Sequence, residues 1–207
     1  MPSQKRRRGG KSLRRTTAKR SEFTTIVVFC EGVNSEPDYV KGLKRLPHVA
    51  ENTALELRIH PEQGVPLTLV KKASDFKRDP EIDECWCLFD VEWPKHHPNL
   101  QEVISLAKAN DVKLAISNPC FELWLVLHFR DYQAFVDTAP AERLSRKLDN
   151  RTGKSIDADM YMPLRKVATD RATQLDRRHE RNGTKFPHNN PSSGMYKFLE
   201  ALEGNQS

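Results

Sequence analysis

The sequence predicts an α/β fold: a mainly parallel sheet flanked by helices, with a helical C-terminal extension. Three observations predict it. Short apolar runs alternate with stretches of helical periodicity between residue 23 and about 130, the pattern of βαβ units. The run at 84–90 is apolar nearly throughout, as a strand covered on both faces must be. The length of 207 residues suffices for one well-packed domain with an appendage and falls short of two full-sized ones.

The first strand spans about 23–31, from Phe23 through Ile26, Val27, Val28 and Phe29 to Glu31. Gly32 lets the chain turn sharply, and a helix follows near 36–46, with Ser35 suited to cap it and Pro37 and Asp38 in its first turn. A second strand at about 54–60 alternates apolar and polar residues, which predicts a solvated face or a sheet edge. Val65, Leu69, Ala73 and Phe76 recur at helical spacing and predict a helix over 65–77. The central strand at 84–90 ends in Asp90, two residues before Glu92. A turn-rich loop, Trp93-Pro94-Lys95-His96-His97-Pro98, leads into a helix at about 99–110, and a fourth strand begins at Val112. Ser117-Asn118-Pro119 then signals an abrupt strand-to-helix change. Asn118 suits an N-cap, Pro119 suits the first helical position, and a mostly buried helix continues through Leu127. Beyond 131 the pattern is helical and more polar, with segments near 140–150, 160–182 and 194–203. The organisation expected is therefore a basic tail over 1–22, an α/β core over 23–130 and a helical extension over 131–207 packed on that core.

Charge is unevenly distributed. Residues 1–20 hold nine Lys and Arg and no acid, so the remainder carries 25 basic and 28 acidic residues, against +6 for the whole. Such a segment cannot bury enough apolar surface to order itself; it reads as a nucleic-acid arm bound through counterion release or as a solubilising tail. No apolar stretch approaches the roughly 18 residues of a membrane span, and the basic start lacks an apolar signal region. A soluble, cytoplasmic protein is expected. Cys30, Cys85, Cys87 and Cys120 lie in apolar surroundings without a CxxC pair and read as reduced core thiols. Cys85 and Cys87 share a strand face, which can also suit a metal.

The ends of the strands carry the chemistry. In an open α/β sheet the C-terminal strand ends line the ligand crevice, and here they end in Glu31 and in Asp90 with Glu92. If both follow strand geometry, Asp90 and Glu92 point to the same side. Carboxylates held together repel unless a cation neutralises them, and hard oxygen ligands without His or Cys favour Mg²⁺ or Mn²⁺. A D-x-E pair is also common in solvated turns, and Glu31 can simply pair with Lys41 or Lys44. Functionally, Glu31 can take up a proton or share the metal. Glu36 begins a helix near Glu31, where it either joins the metal or complements the helix dipole. Asn118 and Glu122 flank a helix N-terminus opening towards the crevice, a favourable place for phosphate. Glu122 sits in an otherwise apolar helix and needs a partner.

Taken together, Phe29-Cys30-Glu31-Gly32-Val33-Asn34-Ser35-Glu36-Pro37-Asp38-Tyr39, Phe89-Asp90-Val91-Glu92 and Ser117-Asn118-Pro119-Cys120-Phe121-Glu122-Leu123-Trp124 resemble the RloB family of the Toprim superfamily. The resemblance covers residues 23–130 in order and spacing, and Asn190-Pro191-Ser192-Ser193 is also similar to it. It implies a Toprim-like fold, Mg²⁺ held by the acidic group, and action on phosphodiester bonds. It places Glu31 as general acid/base and Asp90 with Glu92 as the metal pair; the family often has Asp at the position of Glu92, and Glu reaches one methylene further. It further implies a bacterial antiviral role beside an ATPase encoded nearby.

The expected function is thus an Mg²⁺-dependent nuclease of DNA or RNA, with Glu31, Asp90, Glu92 and Glu122 catalytic and Glu31, Asp90, Glu92 and Glu36 around the metal. Water is the expected nucleophile. Lys41, Lys95, Asn118, Arg177, Arg178 and Arg181 are the candidate nucleic-acid contacts, the last three on a basic stretch over 165–185. No Walker-type phosphate loop occurs, so ATP hydrolysis would come from a partner. The competing expectation is a non-catalytic Toprim scaffold that binds nucleic acid or regulates a defence complex.

Overall fold

A computed structural model describes residues 23–59 and 65–203. The basic segment 1–22, and its reading as a nucleic-acid arm, lie outside the described residues. In chain order the elements are β1 (Thr24–Cys30), α1 (Ser35–Lys44), α2 (Pro47–Asn52), β2 (Thr53–Ile59), α3 (Pro66–Phe76), β3 (Glu84–Asp90), α4 (Leu100–Ala109) and β4 (Val112–Asn118). They continue with α5 (Phe121–Phe129), α6 (Thr138–Asp149), α7 (Ala158–Tyr161), a 3₁₀ turn at Met162–Leu164, α8 (Arg165–Arg181), β5 (Ser192–Ser193) and α9 (Met195–Glu203).

The sheet runs β2-β1-β3-β4-β5, and only the β4–β5 pair is antiparallel. This mostly parallel sheet between helices is consistent with a Toprim-like α/β fold. Period-two alternation sends Ile26, Val28 and Cys30 of β1 with Trp86 and Leu88 of β3 into one apolar layer, shared with α1, α5, α8 and α9. The intervening Val27, Phe29, Cys85, Cys87 and Phe89 pack on α3 and α4 on the other side. Both faces are covered, so β1 and β3 need no polar alternation. β2 lies at the edge and keeps the alternation, with Leu55 buried while Ala54 and Glu56 are exposed. All four cysteines are buried free thiols.

The C-terminal helices do not merely lean on the sheet. Ala168, Ala172 and Leu175 of α8 and Met195, Phe198 and Leu199 of α9 enter the same layer as Trp86 and Leu88. β5 was not expected from the sequence: its two serines pair with Ser117 and Asn118. A Cβ at Gly194 would stand 2.9 Å from the Ile116 nitrogen, so only glycine lets the chain pass this close to β4. α5 is apolar on every side and runs through the interior, with Trp124, Leu125 and Leu127 fully buried. Tyr39 is buried against it; its hydroxyl lies 3.1 Å from His128 Nε2, while His128 Nδ1 donates to the Trp124 carbonyl at 2.9 Å. Burial drives the His128 pKa down to about 4, so the imidazole is neutral, which suits this tie between α1 and α5.

Candidate functional site

The C-terminal ends of β1 and β3, the N-termini of α1 and α5, and the α6–α7 connection surround a cleft of about 410 Å³. Glu31, Glu36, Asp90, Glu92, Glu122 and Glu142 line it together with Arg146, Arg151, Lys154 and His97. The parallel register places Glu31 beside β3: its N–H donates to the Leu88 carbonyl at 3.0 Å, and the Asp90 N–H in turn donates to Glu31 Oε2 at 3.4 Å.

Asp90 and Glu92 do not both follow strand geometry. β3 stops at Asp90, and Glu92 takes a left-handed backbone with φ of 68°, so the alternation expected over 90–92 does not apply. The turn is held by ladder-like bonds, Val91 N–H to the Ser117 carbonyl and Glu92 N–H to that of Pro119, both 2.9 Å. A left-handed non-glycine residue at a cleft is the kind of strain that surrounding structure must hold in place. The Glu92 carboxyl leans towards α6, where Thr138 hydrogen-bonds it and Glu142 is a neighbour in charge.

Glu36 is buried and folded back onto the loop before it, accepting from the backbone N–H of Gly32 and from its own. A Cβ at Gly32 would fall 2.2 Å from Glu36 Oε2, so a larger residue here would push the Glu36 carboxyl out of this fold-back. Ser35 was expected to cap α1; instead Asn34 occupies the cap position, and the Ser35 hydroxyl reaches across to Glu122 Oε1 at 3.1 Å and the Lys154 carbonyl at 2.8 Å. That answers the need of Glu122 for a partner, and Arg151 Nη2 adds a second 3.8 Å away.

These carboxyls resist ionisation. Burial, reinforced by the charges of Glu36 and Glu92, pushes Glu31 up to about 8, and burial with the charge of Glu122 pushes Glu36 up to about 7. Asp90 is raised well above the usual carboxylate range by burial and by Glu36, Glu122, Glu31 and Glu92 around it; Glu92 is raised chiefly by burial. His97 Nε2 lies 3.2 Å from Glu31 Oε1, yet burial lowers the imidazole pKa while that of the carboxyl rises, so at neutral pH the contact is a hydrogen bond between neutral groups.

As a donor set, six carboxylates with one imidazole fit a hard divalent cation. Among the described residues, however, no three His, Cys, Asp or Glu side chains are arrayed as a ready-made metal site. Glu31, Asp90, Glu92 and Glu36 share one cleft, and the charges of the three glutamates act on Asp90.

The expected nucleic-acid contacts do not line this cleft. Lys41 is exposed and paired with Asp38 at 3.3 Å; Lys95 is exposed on the loop after Glu92. Arg177, Arg178 and Arg181 border a separate depression of about 260 Å³ with Arg171, Tyr132 and Gln133, where Arg178 donates to the Gln133 carbonyl at 2.8 Å. Asn118 neither caps α5, whose cap position is Cys120, nor faces the cleft. It is buried, accepts from Trp93 Nε1 at 2.7 Å and donates to the Pro187 carbonyl at 2.8 Å, which ties β4 to the loops on either side. Conversely, sequence reading missed Glu142, Arg146, Arg151 and Lys154. They lie in the polar region after residue 131, where only three-dimensional folding brings them back to the strand ends. His97 lies in the turn-rich loop after β3, where nothing local marks it as a site residue.

No helix among the described residues is long and apolar enough to cross a membrane. Searches among curated proteins and among solved structures find no match. The model of the family described as RloB-like protein matches residues 26–202, which takes in every wall of the carboxylate cleft and the C-terminal helices as well. The chain belongs to the RloB-like family.

Proposed function

We propose that this protein is a divalent-metal-dependent nuclease of Toprim type that hydrolyses phosphodiester bonds of DNA or RNA in phage defence, together with a partner ATPase. The observation that carries the reading is the gathering of Glu31, Glu36, Asp90, Glu92 and Glu122 around one cleft at the carboxyl ends of a parallel sheet. Burying that many carboxyls is costly unless something rewards it. Asp90 and Glu92, with Glu31 and Glu36, would hold Mg²⁺ or Mn²⁺. When bound, the ion supplies charge stabilisation and orientation of the phosphate.

The chain's own residues supply the remainder. Glu31, with one carboxyl oxygen against the Asp90 N–H and the other against His97, stands at the end of β1 where it suits general acid/base work on water or the leaving oxygen. His97 contacts its other face and fixes the carboxyl orientation. Ser35 and Arg151 hold Glu122 at the cleft wall. Tyr39 is fully buried, which argues against a covalent tyrosyl intermediate.

A second reading, a non-catalytic metal- or nucleic-acid-binding subunit of a defence complex, draws on the lack of a ready-made ion cage among the described residues. One experiment separates them. Purified protein, with and without its genomic neighbour, is incubated with labelled DNA and RNA in Mg²⁺, Mn²⁺ or EDTA, beside the Glu31→Gln variant. The nuclease reading expects cleavage that is lost in EDTA and in the variant with the fold intact. Antiviral protection retained by Glu31→Gln would select the binding module.

A further inference from the structure

Three cations share the cleft lining with its carboxylates, and two of them, Arg151 and Lys154, come from a segment to which no role has been assigned. After α6 ends at Asp149, residues 150–157 cross to α7 and supply Arg151 and Lys154 to the cleft lining. This crossing is pinned at three places. Arg151 is held under it, donating to Ser145 Oγ at 2.9 Å and pairing with Asp149. The Lys154 carbonyl accepts from Ser35 Oγ at 2.8 Å, and the Ile156 N–H donates to Asp38 Oδ2 at 3.3 Å. Both of the latter partners belong to α1, the helix that carries Glu36. The backbone around Lys154 is therefore fixed relative to the carboxylates, whereas its ammonium makes no ion pair within 4.0 Å among the described residues. Its charge is nevertheless felt by both Glu36, on α1, and Glu92, after β3.

Arg151 supplies an independent sign of a missing ligand. Its side chain is 9% exposed, yet its Nε–H has no hydrogen-bond partner among the described residues, although it lines the cleft. Buried guanidinium donors are normally satisfied, and this Nε, closed off in the present arrangement, gains an acceptor if the guanidinium turns towards a bound anion.

We infer that Lys154, with Arg151 beneath it, is the phosphate-binding side of the cleft. A nucleic-acid phosphate seated there bridges the carboxylate wall and the lysine, with the strand passing over residues 150–157. This deepens the nuclease reading and rests on it for the identity of the ligand as a nucleic-acid phosphate. It places this charge on Lys154, whereas Lys41 and Lys95 do not line the cleft. A lysine on an anchored backbone serves as a point charge for a phosphate without needing reorganisation at the moment of reaction.

The test uses the full chain and fluorescein-labelled trinucleotides of DNA and RNA, short probes that limit additional contact with remote basic segments. Binding is followed by fluorescence polarisation in Ca²⁺ and in EDTA across a salt series. Lys154→Gln is expected to weaken binding about tenfold and to flatten the salt slope by about 0.7, the value for one phosphate contact on a single strand. Lys154→Arg should retain the slope. Because Lys154 is exposed, its variants keep the wild-type melting temperature, which is measured alongside. Wild-type binding with an unchanged affinity and slope in Lys154→Gln overturns the inference while leaving the nuclease reading standing. A wild-type protein that binds no nucleic acid, with or without the partner ATPase, overturns both.

Discussion

Substituting Glu31 by Gln should change the pH dependence of stability in a calculable way. The Glu31 carboxyl moves from an ordinary value of 4.5 to about 8 in the folded protein, with burial the largest cause. Below about pH 4.5 both folded and unfolded chains carry the proton, so no penalty exists. Between the two values the unfolded chain ionises while the folded one stays protonated. Stability therefore falls with rising pH by up to about 1.4 kcal/mol per pH unit, and the loss is complete above pH 8. Taken alone the whole interval would amount to about 4–5 kcal/mol. Part of that cost is shared with the neighbouring carboxyls, since an ionised Glu36 or Glu92 adds to the effect of burial, and the effect of one substitution should be about 2 kcal/mol. Glutamine keeps an acceptor for the Asp90 N–H and removes the titration. Urea unfolding in EDTA should find Glu31→Gln about 2 kcal/mol more stable than wild type at pH 8.5 and equal to it, or slightly less stable, at pH 5. A stability difference that is the same at both pH values would refute the account of a strained, proton-holding carboxyl.

Further substitutions probe the walls of the site. Gly32→Ala places a methyl group against the Glu36 carboxyl; because that end of the side chain can move, stability should fall by only about 1 kcal/mol, while cleavage drops at least tenfold, as read by melting and nuclease assay. Asn118→Ala strands the Trp93 indole N–H and the Pro187 carbonyl and should cost about 2–3 kcal/mol in chemical denaturation, with a change in tryptophan fluorescence; nucleic-acid affinity in the surviving folded fraction should be unaltered.

Much of the core was legible because its signals are local. The apolar runs of β1 and β3 and the alternation in β2 fix strand type, burial and edge position without tertiary information. Glu31 and Asp90 were legible for the same reason, each being the first strongly polar residue after a buried strand. What stayed hidden is non-local. β5 is only two residues long, Ser192 and Ser193, and is a strand solely because β4 lies alongside. The φ of 68° at Glu92 goes with bonds from Val91 to Ser117 of β4 and from Glu92 to Pro119 just after it, so strand periodicity misjudged its direction. Asn118 carries every local mark of a helix cap, but buried amides follow their tertiary partners, here Trp93 and Pro187. Arg151 and Lys154 come from a polar stretch whose return to the strand ends depends on α1 and α5, to which Ser35, Asp38 and Glu122 tie it.

The central claim is that the carboxylates at the strand ends take a divalent cation. Its most direct test is Mn²⁺ titration of the full chain at pH 8, with free Mn²⁺ read by electron paramagnetic resonance, comparing wild type with Asp90→Asn. The account predicts saturable binding in wild type that weakens at least tenfold in Asp90→Asn while the variant remains folded. Equal Mn²⁺ binding by both proteins, or none by wild type, would contradict it.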